Sequence, residues 1–401
     1  MLFLYVLLLC LCFLLFVAGI IEQRRHYFYL ESIPHRVLVN GIRGKSSITR
    51  LCAGALRGGG MTTFAKTTGT AARIIYPDAS EVPVYRKFGV ANVVEQIGIV
   101  RNAAAYRPEA LVIECMAVDP ALQEINQEKL IRSTIGVLCN VREDHLAEMG
   151  PTLDDVARSL CRSMPIGGVC VTAERERLSI LREEADARDC RLIAVDPESV
   201  SDAEMRGFRS IMFKENVAIA LKVAELLGVS RRDALIGMIA APPDPGALSV
   251  EEYTVHGTPV HFANVFAAND PESTLMNIKR LLAQRAIARP LHVVINCRTD
   301  RMERNQQMGA LIADIDPDGV ALIGEPVRSA RSTIPSQWQD RVLDRGDNPD
   351  IDKMLAEIAD SEESSVSVVA IGNIHGQGEV LIDRLAASKT ASEPARMGAS
   401  R

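Results

Sequence analysis

The chain has 401 residues, enough for two or three domains at roughly 100–200 residues each. Its 47% hydrophobic and 24% charged residues suit a globular protein with a core of normal size. A net charge of −6 argues against a nucleic-acid binder, and 4% aromatic residues leave little for stacking bases or sugars.

Residues 1–21 carry no charge and read Leu-Phe-Leu-Tyr-Val-Leu-Leu-Leu from Leu2 onward. At 1.5 Å per residue, about 20 such residues cross a hydrocarbon core of roughly 30 Å. Glu22-Gln23-Arg24-Arg25-His26 follows at once, and no basic residue precedes the apolar run. The positive-inside rule then puts the rest of the chain in the cytoplasm, behind a single-pass anchor in the cytoplasmic membrane. A cleaved signal peptide wants a basic start, a shorter apolar stretch and a small-residue cleavage site, which are missing.

Beyond the anchor, apolar runs alternate with helical stretches. Arg36 to Asn40 reads as a buried strand and Ser47 to Leu56 as a helix. Ala110 to Glu114, Thr134 to Asn140, Gly168 to Thr172 and Leu192 to Val195 read as further strands. Short apolar runs separated by helices predict a mostly parallel sheet covered on both faces. Ligands bind such sheets at the carboxyl ends of the strands, which here carry Asn40-Gly41, Glu114 and Asn140. Ala241-Pro242-Pro243-Asp244-Pro245-Gly246 cannot continue a helix or a central strand and predicts a domain boundary. Past it, Leu291 to Asn296, Gly319 to Gly324 and Ser365 to Ile371 predict a second α/β pattern. The predicted architecture is therefore α/β: an N-terminal transmembrane helix at 1–21, a phosphate-loop domain with a mostly parallel sheet at 22–245, and a smaller Rossmann-like α/β domain at 246–385. From about Ala386 the chain turns small and polar, which predicts a disordered tail over 386–401. The nine cysteines form no C-x-x-C pair and lie mostly in apolar runs, as buried reduced thiols do.

Asn40-Gly41-Ile42-Arg43-Gly44-Lys45-Ser46-Ser47 follows a strand and opens a helix, the setting of a phosphate loop. Glycines let successive backbone N–H groups point at phosphate oxygens, and the helix N-terminus adds partial positive charge. Lys45 can reach terminal phosphates and Ser46 can ligate Mg²⁺. The spacing is shorter than G-x-x-x-x-G-K-[ST], because Val39 stands where the first glycine would be. Lys66-Thr67-Thr68-Gly69-Thr70 offers clustered hydroxyls, and alone it reads equally as a polar turn. Asn140-Val141-Arg142-Glu143-Asp144-His145 gathers an amide, carboxylates and an imidazole after a buried strand. Glu114 closes its own strand as a candidate Mg²⁺ carboxylate; Ser46, Glu114 and His145 would suit a cation that wants few protein oxygens beside phosphates and water.

These pieces, in this order, resemble the Mur ligase superfamily, which includes the amino-acid ligases of peptidoglycan synthesis and the folylpolyglutamate synthases. Glu215-Asn216-Val217 resembles that family's Asn-containing helix near adenine, and Asn269-Asp270-Pro271 the motif that starts its last domain. A narrower resemblance, to the ligase subunits of bacterial poly-γ-glutamate synthases, rests on the anchor, the loop, Lys66 to Thr70, Glu114-Cys115-Met116-Ala117-Val118, Glu143-Asp144-His145, Met149-Gly150-Pro151-Thr152-Leu153, Ala241 to Ala247, Asn296-Cys297-Arg298 and Gly372-Asn373-Ile374-His375-Gly376. It implies an ATP- and Mg²⁺-dependent acid–amino-acid ligase acting on glutamate and a growing γ-linked chain. It also implies small membrane partner subunits; a homo-oligomer is a further expected assembly. Two departures stand out. From His145 to Phe213 there is no lysine that could be carbamylated as in many Mur ligases, and Gly246-Ala247-Leu248 stands where many carry a hinge arginine.

The site residues expected on this basis are as follows. Lys45, Asp144 and His145 are catalytic. Asn40, Gly41, Arg43, Gly44, Lys45, Ser46, Ser47, Thr68, Thr70, Asn216, Asn269, Arg298 and Asp300 bind the nucleotide. Ser46, Glu114 and His145 hold the metal, and Arg73 and Arg301 meet substrate carboxylates. Three other readings remain open at this point: a Mur-type ligase for another amino acid or a folate-like acceptor, a phosphate-loop kinase, and a nucleotide-gated membrane scaffold.

Overall fold

The computed structural model describes residues 2–68, 72–86, 92–208, 212–244, 248–266, 268, 270–360 and 364–392. The chain divides into two compact units, Met1–Asp244 and Pro245–Arg401.

The first unit opens with helix α1, Leu2–Glu31, which continues ten residues past the apolar run. It is the one helix among the described residues long and apolar enough to cross a membrane. Phe3 to Phe16 are largely exposed, whereas the foot of the helix is built into protein: His26 and Leu30 are buried, as is Ile33 just beyond. His26 Nε2 lies 2.9 Å from the Leu130 carbonyl, and Arg132 stacks over the Tyr27 ring. Arg36 reaches back to the carbonyls of Leu30 and Ile33.

Eight strands follow: β1 His35–Asn40, β2 Thr63–Lys66, β3 Arg73–Ile75, β4 Glu81–Pro83, β5 Ala110–Glu114, β6 Ile135–Leu138, β7 Val169–Thr172 and β8 Arg191–Ala194. Among the described residues they form one sheet in the order β4-β3-β2-β5-β1-β6-β7-β8. Six strands run parallel, and β3 and β4 add an antiparallel edge. That edge was not predicted, because three-residue strands give no hydrophobic period to read. It is pinned from below by Arg50, a buried arginine whose fork grips both oxygens of Glu81.

Side chains alternate across a strand, and here the alternation sorts the core into two faces. Val37, Val39, Ala110 and Val112 pack with helix α2, Lys45–Gly58, and with the helices Lys214–Leu226 and Arg231–Ala240. Leu38, Phe64, Leu111 and Ile113 pack on the other face with the foot of α1 and with helix α3, Glu95–Ala105. α2 sits unusually close to Arg231–Ala240: a Cβ on Gly54 would lie 2.7 Å from the Gly237 carbonyl oxygen, and one on Gly58 2.2 Å from that of Asp233. No larger residue fits at this crossing, so glycines fix the height of α2 above the sheet.

The second unit holds β9 Ser249–Val255, β10 Thr258–Asn264, β11 Leu291–Cys297, β12 Gly319–Gly324, β13 Val342–Gly346 and β14 Val366–Gly372. Their order is β13-β12-β11-β14-β10-β9, parallel except for the β9–β10 hairpin. His256 and Gly257, both at positive φ, make the two-residue turn of that hairpin. The last helix, Gln377–Ser392, corrects the expected tail: the polar stretch from Ala386 is helical to Ser392. Ala386 and Ala387 are good helix formers, and Leu381 and Leu385 anchor the helix in the core.

Candidate active site

Every group of interest in the first unit lies at the carboxyl edge of its sheet. β1 ends at Asn40, and the chain turns sharply through Gly41 at φ +133 and Gly44 at φ +80 before α2 begins at Lys45. A Cβ on Gly41 would sit 2.8 Å from Cys139 Cβ and 3.0 Å from its backbone nitrogen. Gly41→Ala should therefore displace the loop, lowering stability by about 1–3 kcal/mol and weakening nucleotide binding. Thermal melts and a nucleotide titration check this; an unshifted titration would show that the turn tolerates a side chain.

No side chain caps α2, so its first N–H groups face outward, as an anion site requires. Lys45 folds back over the loop, its Nζ donating to the carbonyls of Gly41 at 2.7 Å and Ile42 at 3.2 Å. Asn140, at the end of the strand beside β1, clamps the loop from one side: it accepts from Arg43 N–H and donates to the Arg43 carbonyl, both at 3.0 Å. Asn216 lies against Gly44, whose Cβ, if present, would be 3.4 Å from Asn216 Oδ1. Ser47 is half-buried in the first turn.

Glu114 shares the face of Val112, which is the face of α2. Its Oε2 accepts from Ser46 Oγ at 2.8 Å and from the backbone N–H of Thr68 at 2.7 Å. The structure thus brings Ser46, Glu114, Thr68 and Lys45 to one place. It does not do so for Asn40. Expected to bind nucleotide, Asn40 points by parity to the face of Leu38, away from α2, and donates to Gln123 Oε1 at 2.7 Å and Ser163 Oγ at 2.9 Å. Its side chain is a buried joint between β1 and the helices beneath.

Asp144 and His145 stand on the segment after β6. Asp144 pairs with Arg43 at 3.2 Å, so one expected catalytic residue holds one expected nucleotide residue. His145, in the left-handed region and half exposed, lies 3.8 Å from Asp144 and 3.9 Å from Glu148. Among the described residues no three His, Cys, Asp or Glu side chains gather as a metal site. Glu174, which sequence reasoning missed, fixes the start of this segment by accepting from Val141 N–H at 2.9 Å and from Glu176 N–H at 2.9 Å. Its position just past β7, at the carboxyl edge that also carries Glu114, was the available signal.

Arg73 opens β3 half-buried, its backbone paired with Thr67. In the second unit, past β11, Arg298 grips Asp300 through two bonds of 2.8 and 3.0 Å, and Arg301 lies 3.9 Å from the same carboxylate. These three form an ion-paired group of their own. Thr70 and Asn269 lie outside the described residues. The seven buried cysteines are free thiols, and burial pushes Cys139, directly under Gly41, up to about 12. Cys139 is inert packing at this site.

The comparisons with known proteins bear on the whole chain. Residues 250–388 match the family model of the poly-gamma-glutamate synthase CapB C-terminal domain. The chain is 39% identical over 400 residues to the capsule biosynthesis protein CapB of Bacillus anthracis, spanning 97% of this chain and 84% of that one. It is 38% identical over 389 residues to PGA synthase CapB of Bacillus subtilis (strain 168), spanning 94% and 97%. The chain belongs to the CapB family. Among solved structures, the CapB-family fold seen here resembles a bifunctional folylpolyglutamate synthase/dihydrofolate synthase with Mn, AMPPNP and L-glutamate bound, at TM-score 0.65, 14% identity, and 90% and 92% coverage. E. coli FolC in complex with ADP gives TM-score 0.63 at 14% identity, with 92% and 93% coverage. At that identity the likeness carries the fold alone. It agrees with the expected α/β architecture of a phosphate-loop domain followed by a second α/β domain.

Proposed function

We propose that this chain is a membrane-anchored, ATP-dependent amide ligase of poly-γ-glutamate synthesis. The observation that carries the reading is the convergence of the Ser46 hydroxyl and the Thr68 N–H on one oxygen of Glu114, beside Lys45 and the uncapped start of α2. Family membership supplies the polymer: the relatives are a capsule biosynthesis protein and a PGA synthase.

The donor set fits a hard divalent cation. Ser46 and Glu114 offer two oxygens side by side, which suits Mg²⁺ completed by phosphates and water. Mg²⁺ held there would offset charge on the phosphate oxygens. The chain's own residues do the rest. The loop N–H groups and the Lys45 ammonium bind the terminal phosphates and stabilise the charge that grows on them, the main catalytic term in phosphoryl transfer. An acceptor carboxylate attacks the γ-phosphorus, ADP leaves, and an acyl phosphate forms. The amine of glutamate then attacks the acyl carbon, phosphate leaves, and the nitrogen loses a proton. Asp144 keeps Arg43 aligned over the loop. Arg73 and Arg301 are the arginines proposed for substrate carboxylates, where a planar fork gives two parallel bonds. The apolar run of α1 followed by Arg24 and Arg25 supports a single-pass anchor with both units in the cytoplasm. The small membrane subunits of a polymer synthase are the proposed partners.

Membranes holding the chain and its partners, given ATP, Mg²⁺ and labelled glutamate, should place label in γ-linked polymer and release ADP in step with it. ADP release that needs a folate-like acceptor and ignores glutamate polymer would replace this reading with a folylpolyglutamate-type one. ATP bound without turnover under all conditions would leave only a scaffold.

A further inference from the structure

The carboxyl edge of the first sheet also holds a fully buried cation. Lys66 ends β2 on the face of Phe64, across the sheet from α2, and none of its side chain reaches solvent. Its Nζ donates to Glu95 Oε1 at 2.8 Å and Thr68 Oγ1 at 3.1 Å, and lies 3.7 Å from Met116 Sδ. Glu95, the first residue of α3, is held from its other side by Arg86, at 3.0 Å to Oε2 and 3.3 Å to Oε1. Burial pulls the Lys66 pKa down while Glu95 works against it. For Glu95, burial works upward, but Arg86 and Lys66 outweigh it and the net shift is down.

A buried charge is tolerated only when paired and hydrogen-bonded. Methionine or leucine would fill this slot without that cost, so the geometry of the ammonium is the feature to explain. Glu95 and Arg86 explain how the charge is kept. The Thr68 contact points elsewhere: Thr68 Oγ1 receives the ammonium, while the N–H of the same residue donates to Glu114 Oε2, the oxygen that Ser46 also meets. A continuous chain of contacts thus runs Arg86–Glu95–Lys66–Thr68–Glu114–Ser46, entering the phosphate site from the opposite face of the sheet.

We propose that Lys66 is a positioning residue of the divalent-cation site: by holding the Thr68 hydroxyl it fixes the N–H that orients the Glu114 carboxylate toward Ser46. This rests on the reading of Ser46 and Glu114 as the metal's oxygen donors. Outer hydrogen bonds of this kind set the orientation of ligating carboxylates, and losing one typically costs about 10–100-fold in metal affinity or activity.

The test is a double-mutant cycle on the full-length chain in membranes or detergent, with Lys66→Met, Thr68→Val and the two combined. Mn²⁺ affinity in the presence of a non-hydrolysable ATP analogue is read by electron paramagnetic resonance. The Mg²⁺ dependence of ADP release and the thermal midpoint are read beside it. Each single variant should weaken Mn²⁺ binding by about ten-fold or more, and the pair should do no worse than Thr68→Val alone, because Lys66 acts through the Thr68 hydroxyl, which also donates to the Glu114 carbonyl at 3.4 Å. A variant that carries Lys66→Met with Glu95→Gln removes both buried charges, guards against misfolding, and should show the same weakened metal binding. Wild-type Mn²⁺ affinity in the folded Lys66→Met and Lys66→Met/Glu95→Gln proteins would overturn the proposal, as would strictly multiplicative losses in the cycle. A lower melting point with unchanged metal affinity would mean that Lys66 only packs. If the wild-type chain itself binds no Mn²⁺ with nucleotide, the metal reading fails first, separately from the role of Lys66.

Discussion

Lys45→Ala should cut glutamate-dependent ADP release by about 10²–10³-fold, the loss seen when one preorganised charge-stabilising donor is removed, while the protein keeps its melting temperature. The two halves of that expectation have separate causes. Lys45 Nζ meets only two carbonyls of its own loop among the described contacts, at Gly41 and Ile42, and its side chain is half-exposed. Removing it opens no cavity and strands no buried partner, so stability has little to lose. The ammonium is nonetheless a cation on the loop itself, placed where a terminal phosphate could replace those carbonyls as its partner. Its bonds to the loop backbone are of the kind a phosphate oxygen can take over. Lys45→Arg should not restore the rate, because the guanidinium is a planar fork and the loop leaves room for a compact point charge. Turnover by Lys45→Ala within a few-fold of wild type would refute the site and the proposed chemistry together.

Much of this arrangement was legible because strand parity is a strict rule. Val37, Val39, Ala110 and Val112 point to the face of α2, so Glu114, two residues beyond Val112, had to point there too and meet the first turn of that helix. The same rule, followed one residue further along β1, would have turned the Asn40 side chain away from the loop, where Gln123 and Ser163 receive it. Motif matching treated Asn40 as part of a string and lost its face. Lys66 was hidden for a different reason. A lysine before two threonines and a glycine reads as a solvated turn, and its burial depends on Glu95 and Arg86, partners 29 and 20 residues away that no local pattern announces. The Gly54–Gly237 crossing was missed on similar grounds, since it joins helices far apart in sequence, whereas the antiparallel edge is local and was missed because its strands are too short to show a period. His145 follows Asp144 directly, and its backbone N–H bonds to that carboxylate, a local contact that adjacency in sequence makes legible.

Deleting residues 1–21 should move the protein from the membrane pellet to the supernatant without unfolding it. The deleted segment contains fifteen Leu, Ile, Val and Phe residues. At up to roughly 0.3–0.6 kcal/mol each in a bilayer centre they supply at most about 4–9 kcal/mol of insertion free energy. Their loss shifts partitioning by about three orders of magnitude or more at 1.4 kcal/mol per factor of ten. The fold is spared because none of Phe3 to Phe16 is buried, whereas the segment that the first unit needs begins at His26. Cutting deeper should separate the two functions of the helix. Removal of residues 1–32 takes out His26, its bond to the Leu130 carbonyl, and Leu30, which packs with Phe64, Leu111 and Ile113. Loss of a buried leucine alone costs about 2–5 kcal/mol, so the longer deletion should melt early or fail to fold. Past this foot, β1 carries the chain six residues, at about 3.3 Å each, before the phosphate loop begins. The anchor and the loop therefore share one strand, and the shorter deletion should leave ATP turnover by the freed protein unchanged. A 22–401 protein that still sediments with membranes would show that a second surface holds it there. One that is soluble but inactive would show that the reaction needs the bilayer or the partners within it.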